Sequence, residues 1–134
     1  SFYVTNTTAI INLINNTIVN NDTEGNFLRI KSDSWGNSGS NGGDVTLNLS
    51  SQKVSGNIVV DSISTLDITM NNSYFEGIIN KENSAKKINL KIDENSTIKL
   101  TGDGYVTSFT NDDSTNSNID FNGYKLYVNG TAIN

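Results

Sequence analysis

Asp44–Val54 reads DVTLNLSSQKV, with apolar side chains at Val45, Leu47 and Leu49, polar ones between them, a polar break, and a further apolar residue at Val54. Alternation with a period of two marks a strand that turns one face inward. The pattern returns in TLDITMNNSYF from Thr65, as Leu66, Ile68, Met70 and then Phe75, and in KINLKIDENSTI from Lys87, as Ile88, Leu90, Ile92 and then Ile98. Upstream, TAIINLINNTI carries Ala9, Ile11, Leu13 and Ile18, and near the C-terminus NIDFNGYKL carries Ile119, Phe121 and Leu126. The first positions of these runs stand 36, 21, 22 and 31 residues apart. Two of the spacings fall in the range of one solenoid coil, about 20–29 residues in related repeat classes. Each long spacing holds an insertion, KSDSWGNSGSNGG at 31–43 and a second at 101–117 that includes NDDSTNS.

Three short strands and turns per coil predict an all-β fold, a right-handed, single-stranded parallel β-helix of about four coils that forms one domain over residues 1–134. An antiparallel sandwich also produces short strands at regular spacing. The return of one inward triplet at coil spacing favours the β-helix. The opening SFYVTN reads as the tail of an earlier coil, so the chain is expected to be a piece of a longer solenoid, its C-terminal portion, unless something covers its N-terminal end. Open solenoid ends expose unpaired strands, so end-to-end self-association is expected.

Composition narrows the chemistry. Asn, Ser, Thr, Asp and Gly supply 74 of the 134 residues, while Ile, Leu, Val and Phe supply 36, enough for a thin core. There is no Cys, His or Pro. Thiolate and imidazole ligands, disulfides and Ser-His-Asp catalysis are thereby excluded. The net charge of −5 disfavours a phosphate backbone, so nucleic acid is not an expected partner. No run of 18 apolar residues predicts a membrane-spanning segment. An oxygen-rich, nitrogen- and sulfur-poor ligand inventory suits calcium best among metals. The absence of Cys fits an extracellular or surface protein of a bacterium.

Equivalent outward positions of a parallel solenoid stack about 4.8 Å apart. One expected ladder is Thr46, Asp67, Asn89 and Asp120; its neighbour is Asn48, Thr69, Lys91 and Asn122; Ser50, Asn71 and Asp93 follow at the turn. Such a face offers donors and acceptors at the pitch of an extended polysaccharide, although every soluble β-helix needs a polar exterior. The first insertion holds the only tryptophan, Trp35, among Gly, Ser and Asn. An indole on a loop suits stacking on a sugar ring; the alternative is that it folds back over the solenoid. The carbohydrate-binding candidates are therefore Trp35, Asn48, Asp67, Thr69, Lys91 and Asp120, with no catalytic residue. Asp103, Asp112 and Asp113 in the second insertion are the candidate calcium ligands. Glycoside hydrolysis by paired carboxylates stays open, since a β-helix brings distant aspartates together; a polysaccharide lyase, the alternative activity, needs a cationic base near calcium, and neither Arg29 nor Lys91 sits in a recognisable motif. A purely structural adhesin segment is the third possibility.

Several stretches resemble a family of bacterial surface carbohydrate-binding β-helix proteins, of the kind that bind polygalacturonate in cellulolytic clostridia. They are FYVTNTTAIINLINNTIVNN at 2–21, SDSWGNSGSNGGDVTLNL at 32–49, SYFEGIIN at 73–80, STIKLTGDGYVTSFTNDDSTNSNI at 96–119 and NGYKLYVNGTAI at 122–133. The resemblance implies a fold related to pectate lyases, binding of acidic plant polysaccharide without catalysis, and calcium in the structure.

Overall fold

A computed structural model describes residues 2–134. Among the described residues there is no helix. The chain winds through about six turns. β1 (Phe2–Val4) belongs to the first turn, and β2 (Thr7–Ile14) and β3 (Asn26–Ile30) to the second. β4 (Gly43–Ser50), β5 (Lys53–Ser55) and β6 (Asn57–Val60) form the third, and β7 (Thr65–Asn71) and β8 (Tyr74–Gly77) the fourth. β9 (Lys87–Ile92), β10 (Thr97–Leu100) and β11 (Gly104–Val106) form the fifth. β12 (Ser108–Asn111), β13 (Ile119–Asp120) and β14 (Leu126–Val128) form the sixth, and β15 (Thr131–Ala132) ends the chain.

The strands stack into three faces. Face 1 has the order β12-β9-β7-β4-β2 and face 2 the order β13-β10-β8-β5, parallel throughout. Face 3 runs from β1 through β3 and β6, crosses the bridge Ile58–Ile79, and continues through β11 and β14. The Tyr105 N–H donates to the Ile79 carbonyl at 3.0 Å and joins the two parts. The fold is thus a parallel β-solenoid.

Inside, one row is Ile11, Leu47, Ile68, Leu90 and Phe109, and the next is Leu13, Leu49, Met70 and Ile92. Val54, Phe75, Ile98 and Ile119 stack behind face 2. Nearly all of these side chains are buried, Ile11 and Phe109 only in part, so the core is a set of aliphatic columns along the axis. The expected inward positions from Val45 to Ile98 therefore hold in register.

Two expectations fail at the C-terminal end. The turns number about six, not about four, because 101–117 is not an insertion but supplies β11 and β12. β12 lies on β9 at a spacing of 19 residues, pairing Ser108 with Asn89 and Phe109 with Leu90. Ile119, expected on face 1, instead pairs with Ile98 on face 2. The reason is chemical: β12 reads SFTN and turns only one apolar side chain inward, so NIDF nearby imitated the missing repeat. The stack then closes with a hairpin, in which β15 runs antiparallel to β14.

The corners explain the asparagine content. Nine non-glycine residues have positive φ, and eight of them are Asn. Asn tolerates the left-handed region because its short amide bonds locally. Asn15, Ser51 and Asn72 stack at the corner that leaves face 1, with φ of 48°, 47° and 48°. Inside the next bend, the buried Ser73 hydroxyl accepts the Gln52 N–H, and the buried Ser96 hydroxyl accepts the Ser73 N–H, both at 3.1 Å. These hydroxyls satisfy corner amides that no strand partner can reach.

Candidate functional site

Face 1 carries the predicted ladders for three strands and then departs from them. Thr46, Asp67 and Asn89 align in register, as do Asn48, Thr69 and Lys91. The next members are Ser108 and Thr110, not Asp120 and Asn122. Asp120 pairs with Lys99 on face 2 and is no part of this surface. On the N-terminal side the ladders extend to Ile10 and Asn12 of β2.

The polar side chains of this face order one another. Asn48 Nδ2 donates to Asn12 Oδ1 at 2.8 Å, Thr65 Oγ1 to Asp44 Oδ1 at 2.7 Å, Asn89 Nδ2 to Asp67 Oδ1 at 2.8 Å, and Ser108 Oγ to Asn89 Oδ1 at 2.7 Å. A stacked sheet fixes the spacing, and the side-chain bonds fix the rotamers. The result is a flat, preorganised hydrogen-bonding surface. Asp44 and Asp67 each engage one oxygen in the ladder and leave the other to solvent.

Trp35 stands on the loop that leads from face 3 to face 1. Its side chain is 73% exposed, so it does not fold back over the solenoid. The loop beneath it is anchored. The buried Asn41 side chain donates from Nδ2 to the Asp33 carbonyl at 2.7 Å and to the Trp35 carbonyl at 3.0 Å. The Asn6 N–H donates to the Asn41 carbonyl at 3.0 Å. The Tyr3 hydroxyl donates to Asp33 Oδ2 at 2.8 Å, and the Arg29 guanidinium lies 4.9 Å from the Tyr3 ring centroid. The bond to Tyr3 comes first among the causes that hold the Asp33 carboxyl below its ordinary range, and the same bond pushes the Tyr3 phenol up. Gly36 has φ +79°, and a Cβ there would come within 2.6 Å of the Asn6 amide oxygen, so the loop requires glycine at that point.

The three aspartates of the C-terminal region do not meet as a metal centre. Among the described residues no group of three His, Cys, Asp or Glu side chains is placed to hold a metal ion. Asp103 Oδ1 accepts the Lys125 N–H at 2.9 Å. Asp113 Oδ1 accepts from the Thr115 N–H and hydroxyl, and its Oδ2 from the Ser117 hydroxyl; the Ser117 bond leads the causes that lower its carboxyl to about 2. Asp112 is exposed beside them. The Asp103 and Asp113 carboxylates thus accept hydrogen bonds from their own turns and from Lys125.

Sequence reasoning missed a cleft of about 740 Å³ between residues 16–22 and face 2. It carries no motif and no aromatic lining. The only signal in the sequence was the irregular spacing before β3. No protein-family model matches the chain, and neither a curated protein nor a solved structure matches it.

Proposed function

We propose that the protein is a non-catalytic carbohydrate-binding module of a bacterial surface or secreted protein, built on a right-handed, pectate-lyase-like β-helix. Its ligand is an extended acidic polysaccharide of the polygalacturonate class, laid along face 1. The observation that supports this best is the ordered polar ladder through Asn48, Asp67, Thr69 and Lys91, with the exposed indole of Trp35 on the adjoining loop. Asn, Thr and Lys supply donors for hydroxyls and for a uronate carboxylate. Trp35 supplies the stacking platform. Asp44 and Asp67, which each use one carboxylate oxygen in the ladder, would help to hold a calcium ion, and that ion would offset the charge of a uronate carboxylate.

Calorimetric titration with oligogalacturonate, with and without calcium, tests the proposal. The expected result is calcium-dependent binding that Trp35→Ala weakens without lowering the melting temperature. Absence of heat in both conditions, or full affinity in a folded Trp35→Ala protein, overturns it.

A further inference from the structure

The cleft on face 2 arises because the second turn skips a strand. Where the stack calls for a partner on β5, residues 16–22 form none. The side chain of Gln52, 2% exposed, takes the place of that partner: its Oε1 accepts the Asn16 N–H and its Nε2 donates to the Asn16 carbonyl, both at 2.8 Å. Beyond Asn16 the segment stands off and returns at Asn20, whose Nδ2 donates to the Asn26 carbonyl at 3.0 Å. The space left between is the cleft, lined among others by Asp22, Lys53, Ser55, Glu76 and Thr101. Its volume lies in the range of small-ligand sites, about 300–1,000 Å³.

The inner wall is an unpaired edge. The Tyr74 N–H donates to the Gln52 carbonyl and the Gly56 N–H to the Glu76 carbonyl, so these groups of the β5 strand point to β8. Alternation along a parallel strand turns the Ser55 backbone the other way, into the cleft. Behind two of the lining residues, the Tyr74 hydroxyl donates to Glu76 Oε1 at 2.6 Å and the Lys53 ammonium lies 5.4 Å from the Tyr74 ring centroid. The bond to Glu76 leads the causes that push the Tyr74 phenol up to about 12, so this donor stays protonated and keeps Glu76 oriented. Among the described residues, Glu76 Oε2 and the hydroxyls of Thr17, Ser55 and Thr101 have no hydrogen-bond partner. Gly77 keeps the floor flat, since a Cβ there would collide with the Gly56 carbonyl oxygen.

We propose that this cleft is a second binding site, for a neutral oligosaccharide. Besides Ile18 and three glycines, the lining offers hydroxyls, carboxylate oxygens, amides and one ammonium, which match vicinal sugar hydroxyls that both donate and accept. Two carboxylates against one lysine disfavour a uronate here in the absence of a bridging cation. A peptide added to the edge of β5 would find only three residues to pair with. The inference rests on the carbohydrate-binding reading but not on the face 1 site.

The test is amide chemical-shift mapping of the labelled protein with cellotetraose, xylotetraose, mannotetraose, laminaritetraose and, as the acidic control, tetragalacturonate. At least one neutral tetrasaccharide is expected to shift the amides of Ser55, Glu76 and Thr101. Glu76→Gln removes a charged acceptor and should weaken that binding about tenfold; Ser55→Ala serves as the second variant. Failure of all four neutral ligands, tighter binding of tetragalacturonate in the cleft, or shifts confined to face 1 overturns the inference. Failure of calcium-dependent galacturonate binding, with the cleft still responding, overturns only the face 1 proposal.

Discussion

Asn41→Ala separates the anchoring of the Trp35 loop from the indole itself. The side chain is 5% exposed and gives both Nδ2 hydrogens to loop carbonyls, at 2.7 and 3.0 Å. A typical intramolecular hydrogen bond contributes about 0.5–1.5 kcal/mol net, so the pair is worth about 1–3 kcal/mol. The released carbonyls of Asp33 and Trp35 lie in an exposed loop where water can reach them, which places the cost toward the lower half of that range. For a domain of this size, 1 kcal/mol lowers the melting temperature by roughly 3–5 °C. Trp35 is the only tryptophan, so fluorescence reports on this loop alone. Its emission is already that of an exposed indole and should hardly move, whereas its anisotropy should fall as the loop loosens. Ligand affinity should also fall, because the loop must then be ordered on binding. Trp35→Ala, by contrast, should cost affinity and no stability. An Asn41→Ala protein with unchanged melting temperature and unchanged anisotropy would refute the reasoning.

Ser51 holds φ +47° at a corner where its stacked neighbours are Asn15 and Asn72; Ser51→Asn should raise stability by about 0.5–1 kcal/mol, and a lower melting temperature would show that the Ser51 hydroxyl matters more than the backbone. For Asp61, burial pushes the carboxyl up, but bonds from Ser64, Ser32 and Ile63 outweigh it and leave the folded pKa below 3.8. Its contribution is then complete above about pH 4 and is lost as pH falls through the folded value. The melting-temperature deficit of Asp61→Asn should therefore be largest near neutrality and shrink below pH 4, and a deficit constant from neutral to strongly acidic solution contradicts this. Leu66 is fully buried in the row of Val45 and Ile88 behind face 1, so Leu66→Ala should cost about 2–5 kcal/mol in urea unfolding, and a loss under 1 kcal/mol would mean that the row collapses around the gap. β2 pairs on one side only and exposes Ile10 and Ile14; concentration-dependent association in sedimentation that Ile10→Lys suppresses is the expected result, and a monomer at all concentrations argues against end-to-end contact.

The legible part of the fold is the part in which side-chain chemistry and register say the same thing. Val45, Leu66 and Ile88 repeat at one inward position, and the structure places them in one row. β12 was illegible because Phe109 is the only apolar side chain in SFTN, and a single apolar residue shows no period of two. Misreading that one strand carried Asp120 from face 2 to face 1 and turned a working turn into an insertion. The site divides in the same way. Asn48, Asp67, Thr69 and Lys91 were legible because ladder membership follows from register alone. The cleft was not, because it depends on where residues 16–22 fail to form a strand. That failure rests on a single buried glutamine, Gln52, which satisfies the segment from 36 residues away.

A repeating solenoid makes flat, equivalent faces, so shape can enter only where the repeat breaks. Both breaks lie in the second turn. Leu28 follows Ala9 by 19 residues where Ile58 follows Val45 by 13, and Val45 follows Leu28 by 17 where Leu66 follows Ile58 by 8. The first excess forms the outer wall of the cleft on face 2, and the second forms the Trp35 loop at the border of face 1. Each ordered backbone residue costs about 1–2 kcal/mol of conformational entropy. These segments recover little of it in the core: Ile18 is the only residue of the first that packs there, and the second contributes none. They are instead held by Gln52, Asn41, Tyr3 and Asp61, polar side chains that the turn and its neighbours supply. A plain spacer would keep the 21-residue register and avoid that cost. One turn departs from it twice and dedicates polar anchors to each departure, and both the Trp35 loop and the cleft of the proposed sites lie there.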